Sequence, residues 1–423
     1  MKQKHHRMLC AFCALVILVS TVFPTAAFAE QPVDAAAVEQ TLTRADAAEM
    51  QQADAAVTVL TESEQYQEMD TDARKDAALA QLDTLAAKGL VEKDSIYTDE
   101  ENGMVSFRYP CGVLGGILLT EPEDETLDEE NAGTETASNA LSLRLPPDLG
   151  AEMQASRAAL LRRTENQAVE KFGTAVIYYA FDNTINSSRF PYYSYMQGFW
   201  SALGLETKIN IHVTVADLKK MGNYNVSVLS AHGSYYTYSY GKFLKRTRTE
   251  PIMLLTEEST FGKDLRYGFD LLAHRVIKVN GMYCVTSDFF RNAYKGGKLS
   301  NTIVYSETCE FLGVDGSEDD AMADALLSGG AQAVIGYVNN VYTVYSRSML
   351  WDTINHLIMG QNVGQALEHA KATYGEDDLI WYHAQGGRRP HAAASYAVLY
   401  GNSQAALHVP ESNRSMFSAD LVA

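Results

Sequence analysis

A histidine and a cysteine follow two short apolar runs of this chain, at positions where their side chains could act on one substrate. His232 comes directly after the run Val226–Ala231, and Cys309 comes shortly after the run at 302–306. An imidazole can take the proton of a thiol or stabilise the thiolate, which is the form that attacks a carbonyl carbon. The pair therefore indicates acyl transfer through a cysteine nucleophile, provided that the two runs are neighbouring strands.

Six apolar runs rich in Val, Ile and Tyr alternate with helical segments from residue 174 onward. Such a pattern predicts an α/β fold with a six-stranded, mostly parallel sheet that helices cover on both faces. Active sites of these sheets lie at the carboxyl ends of the strands, so the residues after each run matter most. The predicted strands are 175–181, 208–215, 226–231, 302–306, 333–337 and 396–400.

Gly233, which follows the histidine, is predicted to take part in the same site. A residue without a Cβ lets the backbone approach a substrate closely. The N–H groups of Gly233 and Cys309 are predicted to form an oxyanion hole, and losing one such donor typically lowers a rate by about 10²–10³-fold.

The motifs Ala231-His232-Gly233 and Ser306-Glu307-Thr308-Cys309-Glu310 resemble those of the caspase–hemoglobinase superfamily (clan CD). That superfamily of cysteine peptidases includes clostripain, gingipains, legumain, metacaspases and caspases. The resemblance covers roughly residues 174–410 and extends to segments near 321–336, 364–372 and 396–402. It implies a caspase-like peptidase domain over 174–410, with His232 and Cys309 as the catalytic pair.

The chain departs from the smaller relatives in one respect. Its interval between the histidine and the cysteine is longer, and the excess fits an insertion at about residues 240–290. A hairpin is predicted inside the insertion at Asn280-Gly281, since this dipeptide readily adopts the positive φ angles of a tight turn. The insertion moves neither strand end, but it leaves open what covers the substrate groove.

Two carboxylates are predicted to bind the substrate side chain that precedes the scissile bond. The resemblance assigns this role to Glu307, two residues before the cysteine, and to Asp182, after the first strand. Carboxylates favour a cationic side chain through charge-assisted hydrogen bonds, which predicts cleavage after Arg or Lys. Cleavage after Asn is the alternative, because legumain-like pockets also use a glutamate here. Asp182 could instead be an ordinary turn or helix-capping residue.

A peptidase that cuts after basic residues could process itself. Arg162-Arg163 lies between the acidic N-terminal part and the first strand, and Lys245-Arg246-Thr247-Arg248 lies in the insertion. The first is the predicted processing site of a zymogen. The simpler interpretation of either one is an exposed basic segment.

The first 29 residues have the form of a secretory signal peptide. Lys2, Lys4 and Arg7 precede an apolar run, and Ala27-Phe28-Ala29 has the small-x-small form that signal peptidase cleaves. This predicts a secreted protein, extracellular or at the cell surface. The alternative is an uncleaved membrane anchor, but the run is shorter than the ~20 residues of a bilayer span.

Residues 30–165 are rich in Ala and acidic side chains, unlike the remainder of the chain. Helices are predicted at about 34–60 and 72–90, and a strand pair at about 104–109 and 113–119. We interpret this part as a prodomain or accessory domain. A generic N-terminal binding module is the alternative.

Composition narrows the possible partners and cofactors. The net charge of −19 argues against nucleic acid as a partner, and no later segment predicts stable membrane insertion. After removal of the signal peptide three cysteines remain, so at least one has no partner within the chain. The acids at 315–320 could hold Ca²⁺, although a solvated loop is the simpler interpretation. The scattered histidines, His274, His356, His369, His383 and His391, lack metal-ligand spacing, so no metal or other cofactor is predicted.

Taken together, the predicted function is a secreted cysteine endopeptidase that acts on protein or peptide substrates. One alternative is a catalytically inactive caspase-like binding module at the cell surface. Another is a legumain-like Asn-specific peptidase or a transpeptidase, in which an amine replaces water. The oligomeric state has no signal in the sequence.

Overall fold

The computed structural model describes residues 41–119, 169–181, 191–241, 245–379 and 394–414. The predicted signal peptide, the predicted processing site Arg162-Arg163 and the predicted pocket residue Asp182 lie outside the described residues. Within the described ranges, no helix combines the length and the apolar character needed to cross a bilayer.

The two helices predicted at about 34–60 and 72–90 are present as Arg44–Thr61 and Thr71–Ala87, whereas the helices Phe261–Leu272 and Ser287–Ala293 of the insertion were not predicted. Several helices begin at a side chain that accepts a hydrogen bond from the first turn: Thr43, Thr214 and Asn362 each form a reciprocal capping box. The helices are α1 (Arg44–Thr61), α2 (Glu64–Gln67), α3 (Thr71–Ala87), α4 (Pro191–Ala202), α5 (Val215–Leu218), α6 (Phe261–Leu272), α7 (Ser287–Ala293), α8 (Ala321–Ser328), α9 (Thr343–Ile358), α10 (Val363–Tyr374) and α11 (Glu411–Arg414).

The strands assemble into two large sheets and one small hairpin. They are β1 (Tyr97–Asp99), β2 (Met104–Arg108), β3 (Leu114–Leu118), β4 (Gly173–Ala180), β5 (Leu205–Asn210), β6 (Val226–Ala231), β7 (Gly233–Tyr240), β8 (Arg246–Glu258), β9 (Val276–Val279), β10 (Met282–Thr286), β11 (Ile303–Ser306), β12 (Gly313–Val314), β13 (Ser317–Glu318), β14 (Ala333–Val338) and β15 (Tyr396–Gly401). The hairpin pairs β12 with β13.

Six strands form one sheet, which we call the site sheet, in the order β15-β14-β11-β6-β4-β5. Every neighbouring pair is parallel except β14 and β15. The predicted α/β class is confirmed, and all six predicted runs contribute to this sheet. Only the second run is displaced, to Leu205–Asn210. There the Asn210 side chain accepts the N–H of His212, which turns the chain away from the sheet before Thr214 starts α5.

Both faces of the site sheet are buried, which explains why its strands are almost continuously apolar. On β4, Val176 belongs to one hydrophobic core and Ile177 to the other. Trp200 on α4 and Trp351 on α9 are buried in the second core. Burial of each Val or Ile side chain contributes roughly 1.5–3 kcal/mol, so these strands are held chiefly by their two covered faces.

Seven strands form a second, mixed sheet, which we call the composite sheet, in the order β1-β2-β3-β9-β10-β8-β7. It combines strands of residues 97–118 with strands of residues 233–286, and the two parts join where β3 pairs in parallel with β9. The sheet curls, since Tyr236 on β7 donates a hydrogen bond of 2.8 Å to the Gly115 carbonyl on β3. The N-terminal region and the insertion thus share one sheet, which the sequence analysis did not predict.

Two predictions inside the composite sheet are confirmed. The N-terminal strand pair is present as β2 and β3, which are antiparallel. The insertion hairpin turns between β9 and β10 at Asn280, with φ of 49°, and Gly281, with φ of 77°. Both positive angles match the tight hairpin turn that the dipeptide favours.

A buried charge cluster, which we call the Lys278 cluster, joins helix α1 to the insertion. The ammonium of Lys278, which is 1% exposed, lies 2.9 Å from a carboxylate oxygen of Asp264 and also contacts Asp54 of α1. Tyr283 donates to Asp264 at 2.7 Å, and Tyr109 donates to Asp54. Because every charge in the cluster has a partner, the cluster can be buried. Removal of one partner would leave the others as uncompensated buried charges.

Candidate active site

The predicted catalytic residues extend from two adjacent strands of the site sheet. Strands β6 and β11 are parallel neighbours, with Ser306 opposite Leu229. The N–H of Glu307 continues this pairing by donating to the Leu229 carbonyl at 2.7 Å. His232 and Cys309 each lie three residues beyond the matched pair Leu229 and Ser306, so both reach the same edge of the sheet.

The segments after the two strands are in direct contact at Gly233. A Cβ added to Gly233 would lie 2.1 Å from the Cys309 carbonyl oxygen and 2.5 Å from the Thr308 methyl carbon. Such distances are far below van der Waals contact, so only glycine permits this approach. Gly233 was predicted to give the substrate access to the backbone, and in the structure it also lets the His232 segment pack against the Cys309 segment.

His232 is held from two sides. Its ring is edge-on to Phe181, with centroids 4.7 Å apart and ring planes at 90°. Its carbonyl accepts the N–H of Leu254 on β8 at 2.9 Å. The imidazole is half-buried, and its position depends on β4 of the site sheet and on β8 of the composite sheet.

Cys309 is half-buried and lies beside the loop that follows β14. Its thiol approaches the Val341 carbonyl at 3.9 Å, a long contact that suits a weak sulfur donor. Glu310, the next residue, has a φ of 54° and donates its N–H to the Asn339 carbonyl at 2.9 Å. This left-handed residue turns the chain sharply just after the cysteine.

The other described cysteines differ from Cys309 in their surroundings. Cys284 is fully buried in β10, and burial raises the pKa of its thiol well above the usual range. Burial also raises the pKa of the Cys111 thiol. None of the three described cysteines forms a disulfide. Raised pKa values keep Cys111 and Cys284 as thiols, so neither suits the role of nucleophile.

Glu307, the predicted pocket residue, is buried between the site sheet and its helices. One carboxylate oxygen accepts the Tyr193 hydroxyl of α4 at 3.0 Å, and the other accepts the Ser346 hydroxyl of α9 at 3.4 Å. The guanidinium of Arg347, itself buried, lies over the rings of Tyr192 and Tyr193, 4.7 and 5.5 Å from their centroids. A buried cation thus lies close to the tyrosine that binds the Glu307 carboxylate.

Three residues near the cysteine were missed by the sequence analysis. Burial, reinforced by Asp315, raises the pKa of Glu310 to about 7. Asn339, with φ of 68°, accepts the Gly316 N–H at 2.9 Å and donates to the Ala394 carbonyl at 2.8 Å. Burial raises the pKa of Asp378 to about 6, although its carboxylate accepts the N–H groups of Tyr342 and Ser395. These side chains fix the loops around the cysteine.

Two acids of the predicted calcium segment at 315–320 have hydrogen-bond partners. Asp319 accepts the Tyr235 hydroxyl at 2.9 Å and the Ala321 N–H at 2.9 Å. Glu318 accepts the Tyr400 hydroxyl at 2.8 Å. Glu318 therefore ties the small hairpin to β15 of the site sheet, and Asp319 ties the start of α8 to β7 of the composite sheet. Calcium binding here stays a prediction.

The second basic segment lies at the start of β8. There Arg248 contacts Glu250 at 3.4 Å and Asp288 at 3.3 Å, and its backbone pairs with β7. Strand pairing hides a peptide bond from a protease, which makes this segment the weaker of the two predicted processing sites.

Comparisons with known proteins found no matching family model and no matching curated protein. The resemblance to the caspase–hemoglobinase superfamily therefore stays a prediction that depends on the quoted motifs and on the geometry described above.

Proposed function

We propose that this protein is a secreted cysteine endopeptidase of the caspase-like type, with Cys309 as nucleophile and His232 as general base and acid. One observation carries the proposal. The two residues follow adjacent parallel strands at matched positions, and the segments that hold them touch at Gly233. This arrangement brings a thiol and an imidazole to one edge of the sheet, and the proposal is that the two side chains act there as a pair.

The reaction follows from the chemistry of the two side chains. His232 takes the thiol proton, and the Cys309 sulfur attacks the scissile carbonyl to form a tetrahedral oxyanion. Collapse of the oxyanion expels the amine, which takes its proton from the imidazole, and leaves a thioester. Water then attacks the thioester with His232 as base, and the thiol returns. The N–H groups of Gly233 and Cys309 are the proposed oxyanion donors.

Two kinds of substrate side chain are candidates for the position before the scissile bond. Glu307, with Asp182, favours Arg or Lys through charge-assisted hydrogen bonds. The buried Arg347 beside Tyr193 favours the second candidate, Asn, because a carboxamide can donate to a carboxylate and accept from a guanidinium at once. Fluorogenic peptides ending in Arg, Lys, Asn and Asp decide between the two, and a preference for Asp contradicts both.

The decisive experiment targets the thiol. The secreted full-length chain, its Cys309→Ala variant and its Cys111→Ala variant are treated with peptidyl acyloxymethyl ketones that end in Lys or Asn. We expect one label per chain in the parent and in Cys111→Ala, and neither label nor peptidase activity in Cys309→Ala, by intact mass and fluorescence. Cys111 is the matched control because it is also half-buried.

A result in which Cys309→Ala keeps its activity removes the proposed nucleophile. A folded parent that takes no label and cleaves no peptide favours the non-enzymatic binding module. Product mass spectrometry with an added amine separates hydrolysis from transpeptidation.

The zymogen part of the proposal has its own test. If the peptidase processes itself after Arg162-Arg163, replacing both with Ala leaves the secreted chain at full length, as does Cys309→Ala. Processing that is unchanged by Arg162→Ala and Arg163→Ala rules out this site and leaves the peptidase proposal intact.

A further inference from the structure

A group of three possible metal ligands lies between helices α9 and α10, apart from the proposed catalytic pair. Asp352 and His356 are one helical turn apart on α9, and His369 is on α10. Asp352 lies 2.8 Å from Nδ1 of His369 and 3.6 Å from Nε2 of His356. One donor atom from each of the three residues lies within 4.8 Å of the others.

These separations suit a small tetrahedral cation. Zinc binds imidazole nitrogen and carboxylate oxygen at about 2.0–2.2 Å, which places neighbouring ligand atoms roughly 3.4 Å apart. The two separations, which involve different carboxylate oxygens of Asp352, lie on either side of that value. The rings of His356 and His369 lie nearly face to face, with centroids 3.7 Å apart, so the side chains must rotate away from each other to direct all three donors at one ion.

The surroundings supply the remaining requirements. Asp352 and His356 are both buried, so an ion bound between them would be shielded from bulk solvent on that side. His369 is 47% exposed, so solvent reaches the cluster and a water can complete the coordination.

We propose that Asp352, His356 and His369 form a zinc site that ties α9 to α10. The sequence analysis treated both histidines as ordinary because the three ligands come from two helices and show no familiar motif. Helix α9 also carries Ser346, which binds Glu307, so zinc would stabilise the helix that borders the proposed pocket.

The test uses the tag-free, full-length chain in the Cys309→Ala background, so that the catalytic thiol cannot bind the metal. After removal of metal with a chelator, zinc is titrated by calorimetry. We expect one zinc per chain and a raised melting temperature. His369→Gln should weaken binding by more than about 100-fold, since losing only an outer-sphere partner typically costs about 10–100-fold.

His212→Gln is the matched control, because His212 is an exposed histidine remote in sequence from the cluster, and it should bind zinc like the parent. Equal melting temperatures of His369→Gln and its parent in chelator show that the variant is folded. Asp352→Asn is the second variant, and X-ray absorption should show nitrogen and oxygen ligands only.

Absence of zinc binding by the parent overturns the proposal, and so does undiminished binding by His369→Gln or a sulfur ligand in the absorption spectrum. These outcomes leave the peptidase proposal untouched, because neither catalytic residue takes part.

Discussion

The two large sheets of this protein are assembled in opposite ways. The site sheet takes all its strands from residues 173–401, pairs most of them in parallel, and is held by apolar cores on both faces. The composite sheet joins strands of residues 97–118 to strands of residues 233–286 and contains a buried charge cluster. Apolar burial is the main feature of the first, whereas the second also contains paired charges contributed by distant parts of the chain.

This difference indicates that the two sheets have different roles. The edge of the site sheet carries the proposed chemistry, while the composite sheet supports His232 through Leu254 and contains the whole N-terminal strand pair. Changes at the site-sheet edge should therefore affect the reaction and spare stability. Changes in the composite sheet should do the reverse.

The largest effect is expected from His232→Ala. Removing a general base typically lowers the rate by about 10²–10⁴-fold, while the free energy of unfolding should change by less than about 1 kcal/mol because the ring is half-buried. Peptidase assays and chemical denaturation measure the two quantities. His212→Ala is the control, and comparable activity in the two variants would break the assignment.

The second largest effect is expected from a substitution in the composite sheet. Lys278→Met leaves the buried carboxylates of Asp54 and Asp264 without their cation, which should lower the free energy of unfolding by about 3–5 kcal/mol. Urea denaturation in the Cys309→Ala background measures this without self-cleavage. Lys171→Met is the control, since Lys171 forms an exposed pair with Glu206 and its loss should cost no more than about 1 kcal/mol. Equal losses would show that the Lys278 cluster does not hold the two segments together.

Gly233→Ala tests the contact where the two sheets meet. The new methyl group would overlap the Cys309 carbonyl, so one segment must shift. A displacement of about 1 Å at a reacting group can lower a rate about 10²-fold. We expect kcat/KM to fall by roughly that factor. Gly262→Ala in α6, where nothing lies within 4 Å, should leave kcat/KM unchanged. Full activity in Gly233→Ala would mean that the close approach is not needed.

The smallest expected effect is a pH dependence of stability and activity that differs between a glutamate at the site and a glutamate in the composite sheet. Burial raises the pKa of Glu310, at the site, and of Glu250, in the composite sheet, to about 7. Between the ordinary glutamate pKa and pH 7 the folded protein retains protons that the unfolded chain releases, so stability falls as pH rises through this window. Glu310→Gln and Glu250→Gln should each flatten that fall, by an amount on the order of 1–3 kcal/mol.

Only one of these carboxyls adjoins the cysteine. Ionised Glu310 disfavours the neighbouring thiolate, so Glu310→Gln should remove an inflection near pH 7 from the profile of kcat/KM, while Glu250→Gln should keep it. If the pH profiles of kcat/KM for the two variants superimpose, ionisation of Glu310 does not influence the cysteine more than ionisation of Glu250 does.

The site sheet was predictable because parallel strands buried on both faces must be apolar along their length. The predicted runs 226–231 and 302–306 match β6 and β11 to within one residue, and His232 and Cys309 follow these strands at one edge of the site sheet. Caspase-like chemistry was inferred from those two motifs, and its test remains experimental.

The composite sheet was only partly predictable. Local features such as the Asn280-Gly281 turn depend on neighbouring residues and were found. The pairing of β3 with β9 matches Gly115 with Lys278, more than a hundred residues apart, and neither residue type marks a strand. Asn339 and Asp378 were missed for a related reason, because their roles are hydrogen bonds to backbone groups that only the folded loops bring near.

One residue separates the two sheets along the chain: β6 ends at Ala231 and β7 begins at Gly233. The position of His232 is therefore fixed only after β6 and β7 have both paired with their neighbouring strands. During synthesis the site sheet lacks β11 until residue 306 has emerged, and the composite sheet lacks β10 until residue 286 has emerged. The imidazole consequently acquires its final orientation late in synthesis, so the proposed peptidase would not be active on a partly synthesised chain.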